Sequence, residues 1–260
     1  MGSFSNYAEN SILDHIFKTA EFTAPANIYV ALSLTDPTED GSGITEPSAV
    51  SYARVLCNVW NYATNRQTAN TNQLIFSKAT SSWGTITHFA LFDALTGGNM
   101  LAYGSLQTQR VIAAGQTTRI NSGAIVISFP TGAISTYLAN SILRHVFKVE
   151  DYTPPVNIYA GLSTSNPGDT GAGLVEPSGN GYSRIVHNAW SAAINGVTVN
   201  SGSITFPSLT GSWGTLTHQF LTDATSGGNL LVYSQFSSPE APVSGDALAY
   251  DSGDLQITCG

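Results

Sequence analysis

The chain has little charge. Of its 260 residues only 10% are Asp, Glu, Lys or Arg, against about 25% in an average soluble protein, so Ser, Thr, Asn, Gln and Gly must keep its surface wet. Cations are scarcest: nine Lys and Arg stand against seventeen Asp and Glu, a net charge of −8. The cations do not cluster, which excludes nucleic acid and an anionic membrane surface as partners, since both need a concentrated basic face. No apolar run approaches the roughly 18 residues of a membrane-spanning helix. The opening MGSFSNYAENSILDHIFK lacks the basic start and apolar stretch of a secretory signal, and Asn6 sits where the myristoylation pattern wants Ser or Thr. Cysteine is nearly absent, with Cys57 and Cys259 alone; they read as two free thiols of a reducing cytoplasm, although a disulfide is open to them. No Gly-rich phosphate loop occurs, because TGGN at 96–99 precedes a strand pattern and not a helix.

What the chain does have is the same text twice. Shifted by 130 positions, its halves align without a gap. NSILDHIFK at Asn10–Lys18 meets NSILRHVFK at Asn140–Lys148, and NIYVALS from Asn27 meets NIYAGLS from Asn157. EPSAVSYARVLCNVW from Glu46 meets EPSGNGYSRIVHNAW from Glu176, and SWGTITHFALFDA from Ser82 meets SWGTLTHQFLTDA from Ser212. A tandem duplication follows, with units 1–130 and 131–260 meeting near Pro130-Thr131-Gly132.

Each unit opens with a helical pattern. Ile12, Leu13, Ile16 and Phe17 share one face, and Asn6 or Asn10 can cap it. The period then drops to two. Strands are expected at 28–33, 52–60, 74–76, 84–93, 100–106, 111–112, 117–120 and 124–129, the fourth and fifth joined by TGGN. Several short strands separated by Gly, Asn and Pro point to an all-β chain of two tandem antiparallel β-sandwich domains, Ig-like or jelly-roll-like, each preceded by one short helix that packs on a sheet edge or across one end.

Candidate sites fare poorly. His88 and His218 each precede an Asp by five residues (Asp93, Asp223), the makings of an acid–base pair. On a strand, however, that offset separates the side chains by ~17 Å on opposite faces. His88 is expected beside Ile86 and Ala90, as a hydrogen-bonded residue at a core edge. Ser82 lacks the strained elbow of a serine nucleophile; SSWG reads as a turn into a strand, with Trp83 capping the core. Asp36, Glu39 and Asp40 suggest a calcium loop, but the second copy keeps only Asp169 and the spacing is wrong for an EF-hand. His15 and His145, each three residues before a lysine (Lys18, Lys148), give one imidazole per unit, too few for a metal. Arg54 and Arg184 sit near Glu46 and Glu176, as ion pairs that fix a loop or a strand register. Trp60, Trp83, Trp190 and Trp213 could be sugar platforms, but a sandwich core needs large aromatics too. No catalytic, cofactor-binding or metal residue is therefore assigned, and no cofactor is expected.

The opening helix motif, the NIYVALS strand, the EPS…Tyr-x-Arg segment and the SWGTITH and SWGTLTH strands together resemble virion proteins of tailed bacteriophages, described as phage structural or tail-fibre proteins. The resemblance spans nearly all of both halves. It implies a virion component assembled in the bacterial host cytoplasm, not an enzyme, and it supplies no catalytic residue to carry over. The expected function is a capsid decoration or cement protein, since low charge limits desolvation cost at a large interface. Its partners would be the major capsid protein or other virion proteins, and the chain would be a homo-oligomer, a trimer being natural for a shell or fibre. The alternative is a tail fibre, baseplate or adhesin module touching host glycans. A depolymerase would need a carboxylate pair or triad present in both units, and none can be assembled. Differences such as Phe89 against Gln219 and Phe92 against Thr222 are expected to suit unequal neighbours.

Overall fold

A computed structural model describes residues 2–259. The first unit runs β1 (Ser3–Phe4), α1 (Asn6–Ile16), β2 (Tyr29–Ser33), β3 (Val55–Leu56), β4 (Gln67–Ala69), β5 (Leu74–Ile75), β6 (Gly84–Phe92), β7 (Met100–Ile112), β8 (Arg119–Ile120) and β9 (Val126–Ser128). The second repeats the order: α2 (Thr136–Val146), β10 (Tyr159–Ser163), β11 (Ile185–Val186), β12 (Val197–Val199), β13 (Ile204–Thr205), β14 (Leu216–Thr222), β15 (Leu230–Glu240), β16 (Ala249–Tyr250) and β17 (Gln256–Thr258). The fold is all-β with one helix per repeat.

An antiparallel sheet β1-β7-β6-β2-β3 forms one layer of the first repeat, and β11-β10-β14-β15 forms its counterpart. The Phe4–Ala102 pairing of β1 with β7 survives in the second repeat as the isolated bridge Ile134–Val232. Two-stranded ribbons, β4-β9 and β5-β8 in one repeat and β12-β17 and β13-β16 in the other, make the opposing layer. Val30, Leu32 and Leu91 from the sheet pack in one cluster with Leu74 and Ile127 from the ribbons.

Sequence and structure differ in instructive places. The helix cap is Ser5, not Asn6 or Asn10: its extended backbone lets the hydroxyl accept from the Ala8 amide, and Ser135 does the same for Leu138. The expected strand at 52–60 shrinks to Val55–Leu56, because its Tyr and Arg side chains bind back to the chain. The segments 100–106 and 111–112 are one strand, β7. A bulge intervenes: Ile86 opposes Arg110 and His88 opposes Ser105, so residues 106–109 stand across from Thr87 alone. It reverses the inward set of β6, as bulges do. Ile86, Phe89 and Leu91 face the main core, whereas Ala90 and Phe92 face a second small cluster with Ala31 and Met100. His88 therefore does not share a clean face with Ile86.

The helices pack on their own sheets and reach the opposite repeat as well. The main core gathers side chains from both repeats into one cluster. Phe17, at the end of α1, packs on Trp190 with ring centroids 4.3 Å apart, and Phe147, at the end of α2, packs on Trp60 at 4.2 Å. Helix α1 also meets β12, and α2 meets β4. Each repeat thus lends its helix to the other across a pseudo-two-fold axis.

Candidate functional site: a histidine clasp between the repeats

The axis passes beside His15 and His145. Helical spacing places each imidazole at the inner end of its helix, 8% and 6% exposed. The rings stack with centroids 4.7 Å apart and planes 4° from parallel. His15 Nε2 lies 3.0 Å from the Tyr152 carbonyl, and His145 Nε2 lies 2.9 Å from the Phe22 carbonyl. A carbonyl accepts, so both Nε2 atoms carry the proton. The Phe22 amide donates to His15 Nδ1 and the Tyr152 amide to His145 Nδ1, each at 3.3 Å. All four ring nitrogens are thereby committed to backbone, and the pair, although close, offers no lone pair to a metal. Burial lowers the pKa of His15, and the neighbouring His145 lowers it further.

Around the rings a cleft of about 1000 Å³ opens, lined by both repeats. Its cations are also committed: Lys18 donates to the Val156 carbonyl and Lys148 to the Ala26 carbonyl, 3.0 Å away in the second case. Farther along the helices, Asn10 Oδ1 accepts from the Gly196 amide and Asn140 Oδ1 from the Arg66 amide, both at 2.8 Å. One turn on, the repeats solve the same contact with opposite charge. Asp14 accepts from the Ala193 amide at 2.8 Å, while Arg144 donates to the Ala63 carbonyl at 3.0 Å. The arrangement holds two backbones together, and its polar groups are spent on doing so.

The other singled-out residues are scaffold as well. Asp93 does not approach His88. It accepts from the backbone and side-chain amides of Asn99, both at 2.7 Å, and closes the TGGN turn; Asp223 and Asn229 repeat this. His88 Nδ1 lies 2.8 Å from Thr87 Oγ1. Ser82 Oγ donates to the Ile112 carbonyl and accepts from the Gly84 amide, each at 3.2 Å. Asp40 accepts from the Ser42 amide and from the Thr38 and Ser42 hydroxyls, which hold its carboxyl down at about 2. Asp36 accepts from the Thr38 amide, and Glu39 from the Tyr103 hydroxyl. Among the described residues no three His, Cys, Asp or Glu converge on a metal site. Cys57 and Cys259 are buried and unpaired with each other, and burial pushes the Cys57 thiol up to about 12. All four tryptophans are buried, Trp83 and Trp213 at 3% exposure, Trp60 and Trp190 at 6%; none can be a sugar platform.

Arg54 and Arg184 are the most connected cations. Arg54 Nη2 meets Glu46 Oε1 at 2.7 Å, Nη1 donates to the Ala94 and Gly97 carbonyls, and the guanidinium lies 3.6 Å over the Phe92 ring. Glu46 also accepts from the Tyr52 hydroxyl at 2.7 Å. In the second repeat Phe92 becomes Thr222, whose hydroxyl accepts from Arg184 at 2.9 Å. The lost ring is replaced from the next inward position: Phe220, where the first repeat has Ala90, lies 5.2 Å from Arg184. Room for it comes from Gly161 in place of Ala31, since a Cβ at Gly161 would overlap the Phe220 ring. The Phe92–Thr222 difference is thus an internal repacking, not an adjustment to unequal neighbours as expected.

What both repeats share is caps, turns, core aromatics and ion pairs that pin loops, the equipment of a rigid structural building block. That is the class of a rigid structural protein. A family model described as Podophage GP4 fiber I protein gp80 matches the chain twice, over residues 3–128 and 133–258. The chain belongs to this family of phage fibre proteins and is a component of the virion. No curated protein matches the chain. No helix among the described residues is long and apolar enough to cross a membrane.

Proposed function

We propose that the chain is a non-enzymatic fibre component of the phage particle, working through protein–protein contact as a homo-oligomer. The family match over both repeats carries this reading, because the matched family is described as a fibre protein. For the same reason the fibre assignment is preferred to the capsid cement role that composition and resemblance first suggested. The commitment of all four ring nitrogens in the clasp to backbone supports the absence of chemistry there. Burial of all four tryptophans removes the main argument for a glycan-binding face. The working units are taken as 1–130 and 131–260, with Pro130-Thr131-Gly132 between them.

Immunogold imaging of intact particles tests the placement. Label confined to projecting fibres is expected, together with lost host adsorption and unchanged heat resistance when the gene is deleted. Label spread over the shell with heat-sensitive particles would return the cement reading. Loss of polysaccharide cleavage alone, with adsorption and stability intact, would refute the non-enzymatic assignment.

A further inference from the structure

The two repeats differ in charge on one outer surface, and there they differ in sign. In the first repeat, Lys78 follows β5, Arg110 lies near the end of β7 and Arg119 begins β8. The matching residues of the second repeat are Ser208, Glu240 and Ala249. Conversely Asp246, Asp251 and Asp254 replace Gln116, Asn121 and Ala124. One repeat therefore shows three cations where the other shows four carboxylates. All seven of these charged residues are exposed, and among the described residues none takes part in an ion pair.

The fold gathers each set onto one face. Arg119 pairs in register with Ile75, which is 52% exposed, and the Ala79 amide donates to the Gln116 carbonyl, drawing Lys78 alongside. In the second repeat Glu240, Ala249 and Asp254 line a single cleft of about 280 Å³, floored by Leu216, Phe236 and Leu248. Arg110 and Arg119 occupy the positions of Glu240 and Ala249, so they flank the equivalent place. Gln219 also lines the acidic cleft, and its Oε1 is buried without a hydrogen-bond partner.

We propose that the basic face of the first repeat docks on the acidic cleft of the second repeat of another copy of this chain. The occupant is a second copy because the chain itself carries the complementary charge at the matching position. Like faces repel: first repeat on first repeat sets cations against cations, and second on second sets carboxylates against carboxylates. The charges thus select a head-to-tail contact over a two-fold one. Such a contact builds a ring if the rotation closes and a filament if it does not. Ile75 and Val111, the latter 69% exposed, supply apolar area beside Arg119 and Arg110. The proposal extends the homo-oligomer reading above, but it concerns the free protein and holds wherever on the particle the chain sits.

Sedimentation velocity of the purified full chain tests it, with two double variants, R110E/R119E and E240K/D251K. The native chain should associate in about 0.05 M salt and weaken about tenfold or more near 0.5 M, because exposed charges are screened. Each double variant alone should be monomeric, with a melting temperature close to native. An equimolar mixture should associate again, since the second variant keeps the native basic face and the first keeps the native acidic cleft. A native chain that stays monomeric at low salt, an association indifferent to salt, or a mixture that fails to recover would each overturn the proposal. None of these results bears on where immunogold label falls on the particle, so the two readings fail separately.

Discussion

His15 and His145 stack ring on ring with centroids 4.7 Å apart, and each hydrogen-bonds only to backbone of the opposite repeat or of the loop following its own helix. Protonating His15 puts a charge in a buried site, on a nitrogen that already accepts an amide N–H, beside another imidazole. The Tyr152 carbonyl and the nearby Glu21 offset this only in part. The folded pKa of His15 is thus lowered, so the unfolded chain binds that proton first, and stability is lost as pH falls below about 6.5. His187 and His218, also lowered by burial, act in the same direction.

Glu9 acts in the opposite sense. It lies buried on α1 against Gly196 of the other repeat, and desolvation together with nearby Glu39 raises its pKa to about 7. The folded state holds this proton more tightly than the unfolded, so its contribution is present at acid pH and disappears as pH rises through about 7. Between about pH 4.5 and 7 the two effects therefore oppose each other, and the loss from Glu9 cancels part of the gain from the histidines as pH rises. Glu9→Gln should remove that cancellation, so the melting temperature of the variant should rise more steeply with pH across this window than that of the native chain. Thermal melts across that range check it; an unaltered slope in the variant would exclude Glu9 as the cause.

Gly161 and Phe220 should be coupled. Gly161→Ala forces a methyl into the Phe220 ring and should cost about 1–3 kcal/mol, the range for overpacking. Phe220→Ala should cost about 3–5 kcal/mol through the cavity it leaves. The double variant, which restores the Ala31–Ala90 pairing of the first repeat, should be more stable than the sum of the two losses implies. Urea titrations of the four proteins measure the coupling; strict additivity would deny it.

Trp83 packs edge-on against Tyr52 and Phe76, with centroids 5.3 and 6.3 Å away, and Trp213 repeats the contact with Tyr182 and Phe206. Trp83→Ala should destabilise by about 3–5 kcal/mol, read as a lower denaturation midpoint. A loss under about 1 kcal/mol would mean that the ring is not a core element.

The duplication, the helix faces and most strands were legible because they rest on local periodicity. Ile12, Leu13, Ile16 and Phe17 are buried as their spacing requires. Ser5 was passed over because Asn6 and Asn10 are equally good caps on paper, and only backbone geometry separates them. The faces of β6 were misjudged because a bulge leaves no composition signal in the strand it faces. The clasp was illegible for a deeper reason: a repeat reveals equivalent positions, not whether they pack within a unit or across units. Its trace was a polar pair, Asn10 with His15 and Asn140 with His145, kept in both copies of an otherwise apolar helix stripe. Buried polar groups of that kind need partners, and a helix over its own sheet would have supplied few.

The same geometry predicts how half of the chain behaves alone. Residues 1–130 without their partner expose Trp60 and the apolar face of α1, which the second repeat covers with Phe147 and Trp190. A second copy of the same unit can cover them, because Phe17 matches Phe147 and Trp60 matches Trp190 in sequence. The substitution at the seam favours this pairing. Arg66 stands where the second repeat has Gly196, and Gly196 is the residue against Glu9. In a dimer of first units, Glu9 would face Arg66 across both copies of the seam, and its carboxylate would gain a cation in place of a glycine. Two second units would instead bring Ala139 against Gly196 and leave space. Residues 1–130 should therefore fold as a two-fold dimer, and residues 131–260 should be less stable in the same form. Light scattering and denaturant titration of the two fragments decide it. A folded monomer of 1–130 would show that the clasp is dispensable to the unit, and equal stability of the two dimers would remove Glu9 and Arg66 from the explanation.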